Sequence, residues 1–258
     1  MTSAKTALAF ALAGIFVMPF QSGAADSTGK PLLLHMQAAL DIDRTGHVTA
    51  ITYVDDGKIP DAIRQRGEQV ARGWKFLPPV KEGQAVSGRT YVGMQACIVP
   101  RADSIDFSIV YARNGPASFY RAPKKPRPSA LPIARLVDQG VNSLRGKIVY
   151  VVSVDGKAQL ESATLDDPKL QEQYGRPWRV EQRELLKSFR FRAELIDGTP
   201  TATRVETIAE LEWFRAEDRK AAAAEMQARH EQSDACKALR NDNGRQIASN
   251  SPFKRIEG

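Results

Sequence analysis

Apolar and polar residues alternate from Pro31 to Asp43, with Leu34, Met36, Ala38, Leu40 and Ile42 on one face and His35, Gln37, Ala39 and Asp41 on the other. A period of two marks a half-buried strand. Arg44-Thr45-Gly46 turns the chain, and HVTAITYVDD reads as a second strand ending in acids. Gly57-Lys58 leads to Pro60 as a first helical residue, and Ile63, Gly67, Val70 and Trp74 recur at helical spacing. A helix is therefore predicted to run from Pro60 into Phe76, with Pro78-Pro79 as its stop. A third strand follows the Glu82-Gly83 turn and ends at Pro100.

The same order recurs further along. GKIVYVVSVDG reads as a strand into a turn, QLESATLDD as a second strand, and LQEQYGRPWR as a loop. VEQRELLKSFRF follows as a helix with Val180, Leu185, Leu186 and Phe189 inward. The strand from Thr201 to Phe214 alternates Val205, Thr207, Ala209, Leu211 and Trp213 with Arg204, Glu206, Glu210 and Glu212. Between the two sets, SIDFSIVYA at 104–112 has the pattern of a further strand, and LPIARLVDQGVNSL that of a short helix.

Two blocks share one layout at a spacing of 115 residues. Trp74 and Phe76 correspond to Phe189 and Phe191, Glu82-Gly83 to Asp197-Gly198, and Thr90, Val92, Met94, Ala96 and Ile98 to Val205, Thr207, Ala209, Leu211 and Trp213. Gly46 pairs with Gly156 at a spacing of 110, so the extra length of the second copy falls in LQEQYGRPWR. A period-2 face kept across a repeat implies two copies of one fold. The fold class is α+β: two small domains, each an antiparallel sheet packed on a helix in strand-strand-helix-strand order. The expected division is a signal peptide at 1–25, a first domain at 31–100, a basic Pro-containing linker at 101–130, a second domain at 131–214, and a charged helical segment with a frayed polar tail at 215–258.

Composition adds a compartment. Residues 1–25 carry Lys5 as their only charge, an apolar stretch from Ala7 to Phe20 and small residues in QSGAA. That is the form of a secretory signal peptide cleaved near Ala24 or Ala25, and a periplasmic location follows; retention of the segment would instead give an inner-membrane anchor facing the periplasm. The chain has two cysteines, Cys97 and Cys236, in neither a CxxC nor a metal-ligand spacing. Cys97 shares a strand face with Arg89, Tyr91 and Gln95, and either a Cys97–Cys236 disulfide or two free thiols fits an exported protein. The net charge of +7 is concentrated between Phe107 and Val137, where Arg113, Arg121, Lys124, Lys125, Arg127 and Arg135 meet no acid. This stretch, with Arg121, Lys124, Lys125 and Arg127 at its centre, reads as a Pro-stiffened connector able to rest weakly on anionic lipid head groups. Nucleic acid is not an expected partner.

Catalytic patterns are sparse. His35, His47 and His230 are scattered without a nucleophile or metal-ligand spacing, and no P-loop, GxSxG, HExxH or dinucleotide fingerprint occurs. Asp55-Asp56 and Asp166-Asp167 hold equivalent places after each second strand, so Asp56 and Asp166 are the residues an enzyme reading would rest on. Their ordinary roles are turn chemistry and, for Asp167-Pro168, a helix cap followed by a first-turn proline. No metal or cofactor is expected. The aromatic pairs read as core packing, and the Gly after each acid as a positive-φ turn residue.

GKIVYVVSVDG, FRFRAELIDG and RVETIAELEWF in the second copy, and DIDRTGHV, WKFLPPVKEG and VSGRTYVGMQACIV in the first, resemble the C-terminal domain of the TonB family over roughly 39–99 and 145–214. The resemblance implies a domain that binds an extended segment of an outer-membrane receptor by adding a strand at its sheet edge. On this chain the implied edge is the last strand of the second copy, at Thr203, Val205 and Thr207. Residues 1–25 lack the histidine that the family's energy transducers use. The expectation is therefore a non-enzymatic periplasmic binding or adaptor protein, with a membrane-anchored energy transducer as the alternative. Exposed sheet edges also make a homodimer through strand pairing an expected form.

Overall fold

The computed structural model describes residues 32–54, 59–100, 105–120, 128–213 and 248–257. It is a mixed α+β fold with several antiparallel sheets and, among the described residues, three helices. The first half holds β1 (Leu32–Ile42), β2 (Val48–Tyr53), α1 (Asp61–Arg72), β3 (Lys75–Leu77), a hairpin of β4 (Val80–Lys81) and β5 (Gln84–Ala85), and β6 (Gly88–Pro100). Next come β7 (Ile105–Gly115), β8 (Ala117–Tyr120) and α2 (Ile133–Asp138). The second half holds β9 (Ser143–Val152), β10 (Ala158–Leu165), α3 (Pro168–Lys187), β11 (Phe189–Arg192), a hairpin of β12 (Glu194–Ile196) and β13 (Thr199–Thr201), and β14 (Thr203–Glu212). β15 (Ala248–Ser249) and β16 (Lys254–Glu257) close the described chain.

In each half the first strand lies between the second and the last: β2-β1-β6 and β10-β9-β14. The register Met36↔Met94, Ala38↔Val92 and Leu40↔Thr90 puts the alternating residues of β1 and β6 on one face. There they form a core with Ile63, Ala71, Trp74 and Phe76. The second core gathers Ile148, Tyr150, Val152, Leu165, Tyr174, Trp178, Leu186 and Val205. Burial of these side chains is the main favourable term for each half.

Turns repeat as closely as strands. Gly46 and Gly156 have φ of +89° and +76°, and the amides of Phe76 and Phe191 donate to their carbonyls at 2.9 and 3.0 Å. Glu82-Gly83 and Asp197-Gly198 carry positive φ at both residues, the signature of a two-residue type I′ hairpin turn. The acid-glycine blocks are thus hairpin tips.

Several boundaries differ from the sequence pattern. Helix α1 ends at Arg72 rather than running into Phe76, because Phe76 pairs with Gly46 in an extended segment and is fully buried there. Pro60 is the N-cap and not the first helical residue. The segment LQEQYGRPWR is helix, not loop: Asp167 caps the amides of Lys169 and Leu170, Pro168 opens α3, and Pro177 lies inside it. Its inward stripe is Tyr174, Trp178, Gln182 and Leu186, four residues apart, while Val180 faces solvent. Gly175, Pro177 and a polar Gln182 break the apolar periodicity, which hid the first turns.

The linker and the tail also differ from expectation. Residues 105–120 of the expected linker are strands: β7 pairs along β6 in the first half, and β8 pairs with β11 in the second. The end of the expected frayed tail makes the reciprocal crossing, for β15 pairs with β14 in the second half and β16 with β3 in the first. Phe253, between those two strands, is fully buried in the first core. Hairpin β12–β13 adds a third tie, with Leu195↔Arg89 and Ile196↔Gly88 on β6. A Cβ at Gly88 would lie 2.3 Å from the Leu195 carbonyl oxygen and 2.5 Å from the Phe253 ring, so glycine is what lets both approach. Strands and hairpins thus cross between the two halves.

Candidate functional site

Strand β14 is built to face two ways. The amide of Asn250 donates to the carbonyl of Arg204 at 2.8 Å, so Arg204 directs its backbone groups away from β9. Backbone direction alternates along a strand, and Glu206, Ile208, Glu210 and Glu212 therefore face outward with it. β15 meets this edge at Val205↔Ser249 and Glu206↔Ala248. Among the described residues no strand pairs with the outward side of Ile208–Glu212.

The side chains of β14 follow the same parity. Val205 is buried and Ala209, Leu211 and Trp213 pack on the second core, with Trp213 Nε1 donating to the Val141 carbonyl at 2.9 Å. On the other face Glu206 pairs with Lys147 at 2.5 Å, Ile208 is 46% exposed, and Glu210 and Glu212 are exposed. Of the residues expected at the edge, Thr203 is fully buried with its hydroxyl donating to Glu194 Oε2 at 2.9 Å. Val205 lies opposite Ser249 and Thr207 opposite Ile148 of β9. Thr203, Val205 and Thr207 direct their backbone toward β9, so the side of β14 turned away from β9 belongs to the alternate residues. The alternation pattern does not say which neighbour a backbone group meets.

Beside this edge lies a polar junction that the pattern did not signal. The Glu194 carboxyl is fully buried and accepts from Thr90 at 2.5 Å, Ser251 at 2.6 Å and Thr203 at 2.9 Å. One carboxyl thereby ties β6, β14 and the C-terminal segment. Burial pushes its pKa above the ordinary carboxyl value, and the three hydroxyls offset part of that rise. Asn114 adds bonds from Nδ2 to Ser251 Oγ at 2.9 Å and to the Phe253 carbonyl at 2.7 Å, and Tyr111 donates to its Oδ1. A residue-by-residue comparison held the clue, because Glu194 stands where the first half has Pro79.

The other expected residues are placed as follows. Cys97 is buried and disulfide-bonded. Cys236, the chain's other cysteine, lies outside the described residues, as do Arg121, Lys124, Lys125, Arg127, Asp56 and His230. Asp166 is exposed and pairs with Arg145 at 3.5 Å. His35 and His47 are exposed on a strand face and in a turn, 3.4 Å from Gln95 Nε2 and 2.8 Å from Thr45 Oγ1. The described residues hold no cluster of three or more His, Cys, Asp or Glu that fits a metal ion. A cleft between the halves, lined by Gln37, Tyr91, Arg113, Asn114, Tyr150 and Val205, has a volume of 10 Å³, room for a single water. No described helix is long and apolar enough to cross a membrane. Comparison with family models, curated proteins and solved structures returns no match.

Proposed function

We propose that the chain is an exported, non-enzymatic binding or adaptor protein of the cell envelope, built from two units of TonB C-terminal type. It takes up an extended segment of an envelope or outer-membrane protein by strand addition along β14. The observation that carries this reading is the outward backbone of Ile208–Glu212, which no described strand pairs, on a strand whose inner side is anchored along its whole length to β9. Backbone bonds supply affinity there, and alternate side chains supply selectivity. Polar groups of an edge strand that lack a partner within the sheet are a template for such pairing.

The test places a photo-reactive amino acid at Glu210 in the full chain, expressed with its own N-terminus in a Gram-negative host. A crosslink to an extended segment of an envelope protein, mapped by mass spectrometry, supports the reading. An intact mass short of about 25 N-terminal residues in the soluble periplasm assigns a free adaptor. Crosslinks that are absent, or that fall only on folded surfaces unrelated to strand pairing, reject it.

A further inference from the structure

Helix α3 presents two unlike faces. Tyr174, Trp178 and Leu186 lie in the second core. On the opposite side Lys169, Arg176 and Arg183 recur at steps of two helical turns, with Lys187 one turn further on. All four are exposed, as is Arg179 beside them, and Val180 in their midst is 37% exposed. Arg176 and Arg183 have no ion-pair partner among the described residues. Two carboxylates flank this face: Glu172, which is exposed, and Glu184, paired with Lys187 at 2.6 Å. Glu181 is buried instead, accepting from Ser129 Oγ at 3.0 Å and from the Ala130 amide at 2.7 Å. From Lys169 to Lys187, about 27 Å of helix at about 1.5 Å per residue, cations outnumber carboxylates on the exposed side.

Elsewhere the cations are matched. In α1 Arg64 pairs with Asp61, and Arg72 reaches the Thr49 carbonyl at 3.5 Å. On the side of the second sheet away from α3, Lys147 pairs with Glu206 at 2.5 Å and Arg204 with Glu161 at 2.7 Å, while Glu210 and Glu212 are exposed. The second half is therefore polarised, basic on α3 and neutral to acidic across the sheet. Arg121, Lys124, Lys125 and Arg127 lie in the sequence between two anchors near this helix, Tyr120 opposite Phe189 and Ser129 on Glu181. We propose that the exposed face of α3 is a docking surface for an anionic phospholipid bilayer. The long stems of Arg176, Arg183 and Lys187 let their charged ends reach lipid phosphates while Val180 meets the head-group boundary. Each cation held near an anionic surface adds a small attraction, and several on one rigid face act together. The inference goes beyond strand addition and uses no part of β14.

Flotation of the full chain with vesicles tests this, comparing phosphatidylcholine alone with an equal mixture of phosphatidylcholine and phosphatidylglycerol. Binding to the mixed vesicles is expected to be at least about tenfold tighter, and to weaken as salt rises from about 0.05 to about 0.3 M. Arg176→Gln combined with Arg183→Gln exchanges two exposed side chains outside the core and should weaken that binding about tenfold. Arg66→Gln, at an exposed cation of α1, should leave it unchanged to within about twofold. Equal binding to both vesicle types, or an unchanged affinity in the double variant, overturns the proposal. A loss confined to Lys124→Gln combined with Lys125→Gln assigns the attraction to the connector and also overturns it. Release from the vesicles by single-stranded DNA at matched phosphate concentration shows a face for any polyanion and overturns lipid as its partner. Each of these failures leaves strand addition along β14 standing.

Discussion

Asn114 donates to Ser251 Oγ at 2.9 Å across 137 residues of sequence, and this bond joins the two segments that cross between the halves. Asn114 lies opposite Val92 where β7 pairs on β6, and Ser251 stands between β15 and β16. The first core takes in Phe253 from the C-terminal segment, and β11 and β14 of the second half pair with β8 and β15. The protein is expected to unfold in one transition, with calorimetric and van't Hoff enthalpies equal. Two separate transitions would show that the crossings are dispensable.

Phe253 is the side chain that makes the C-terminal crossing structural. Phe253→Ala removes a fully buried ring beside Gly88, and a loss of about 3–5 kcal/mol is expected from urea unfolding. A loss below about 1 kcal/mol would mean that the ring is not seated in the core in solution.

Glu194 gives the junction a pH dependence of definite sign. Its folded pKa is raised by burial, so its contribution is fully present below the ordinary carboxyl range, about 4.3, and is lost as pH rises through the raised value. Tyr91 and Tyr111 lie near enough to feel its charge, and burial pushes both upward, which keeps them neutral over this range. Relative to Glu194→Gln, the unmodified protein should lose stability as pH rises from the ordinary carboxyl range through the raised value in urea titrations. A difference that stays flat as pH rises contradicts a carboxyl whose pKa burial has raised.

Glycines of the repeated turns separate strain from collision. A Cβ at Gly46 or Gly156 would lie 2.0 or 2.2 Å from the carbonyl oxygen of Phe76 or Phe191, whereas one at Gly83, with φ of +80°, meets nothing within 4 Å. Gly83→Ala should cost about 1–2 kcal/mol of backbone strain, and Gly46→Ala and Gly156→Ala distinctly more. Equal losses at all three positions would mean that the two turns do not pack on the aromatic strands.

The period-2 faces of β1, β6 and β14, the acid-glycine hairpin tips and the Gly46–Gly156 equivalence were legible in the sequence because each depends on local chemistry. The N-cap at Asp167 was legible for the same reason, and the turns behind it were missed where Gly175, Pro177 and Gln182 interrupt the stripe. The crossings were not legible. β8, β15 and β16 are two to four residues long, too short for a pattern, and Phe253 is a lone aromatic in a polar tail. Which backbone groups of β14 turn away from β9 was not readable, since that is set by the register of its ladder to β9.

Strand addition on β14 is tested most directly by a single donor. Ile208 directs its amide outward, so Ile208→Pro removes that donor and spares the ladder to β9, and Ile208→Ala changes the side chain alone. Both variants should keep the thermal transition of the unmodified protein to within about 5 °C. Capture from a photo-reactive residue at Glu210 should fall at least about tenfold in Ile208→Pro and hold in Ile208→Ala, as backbone recognition requires. Full capture by a folded Ile208→Pro chain would contradict recognition through the β14 backbone.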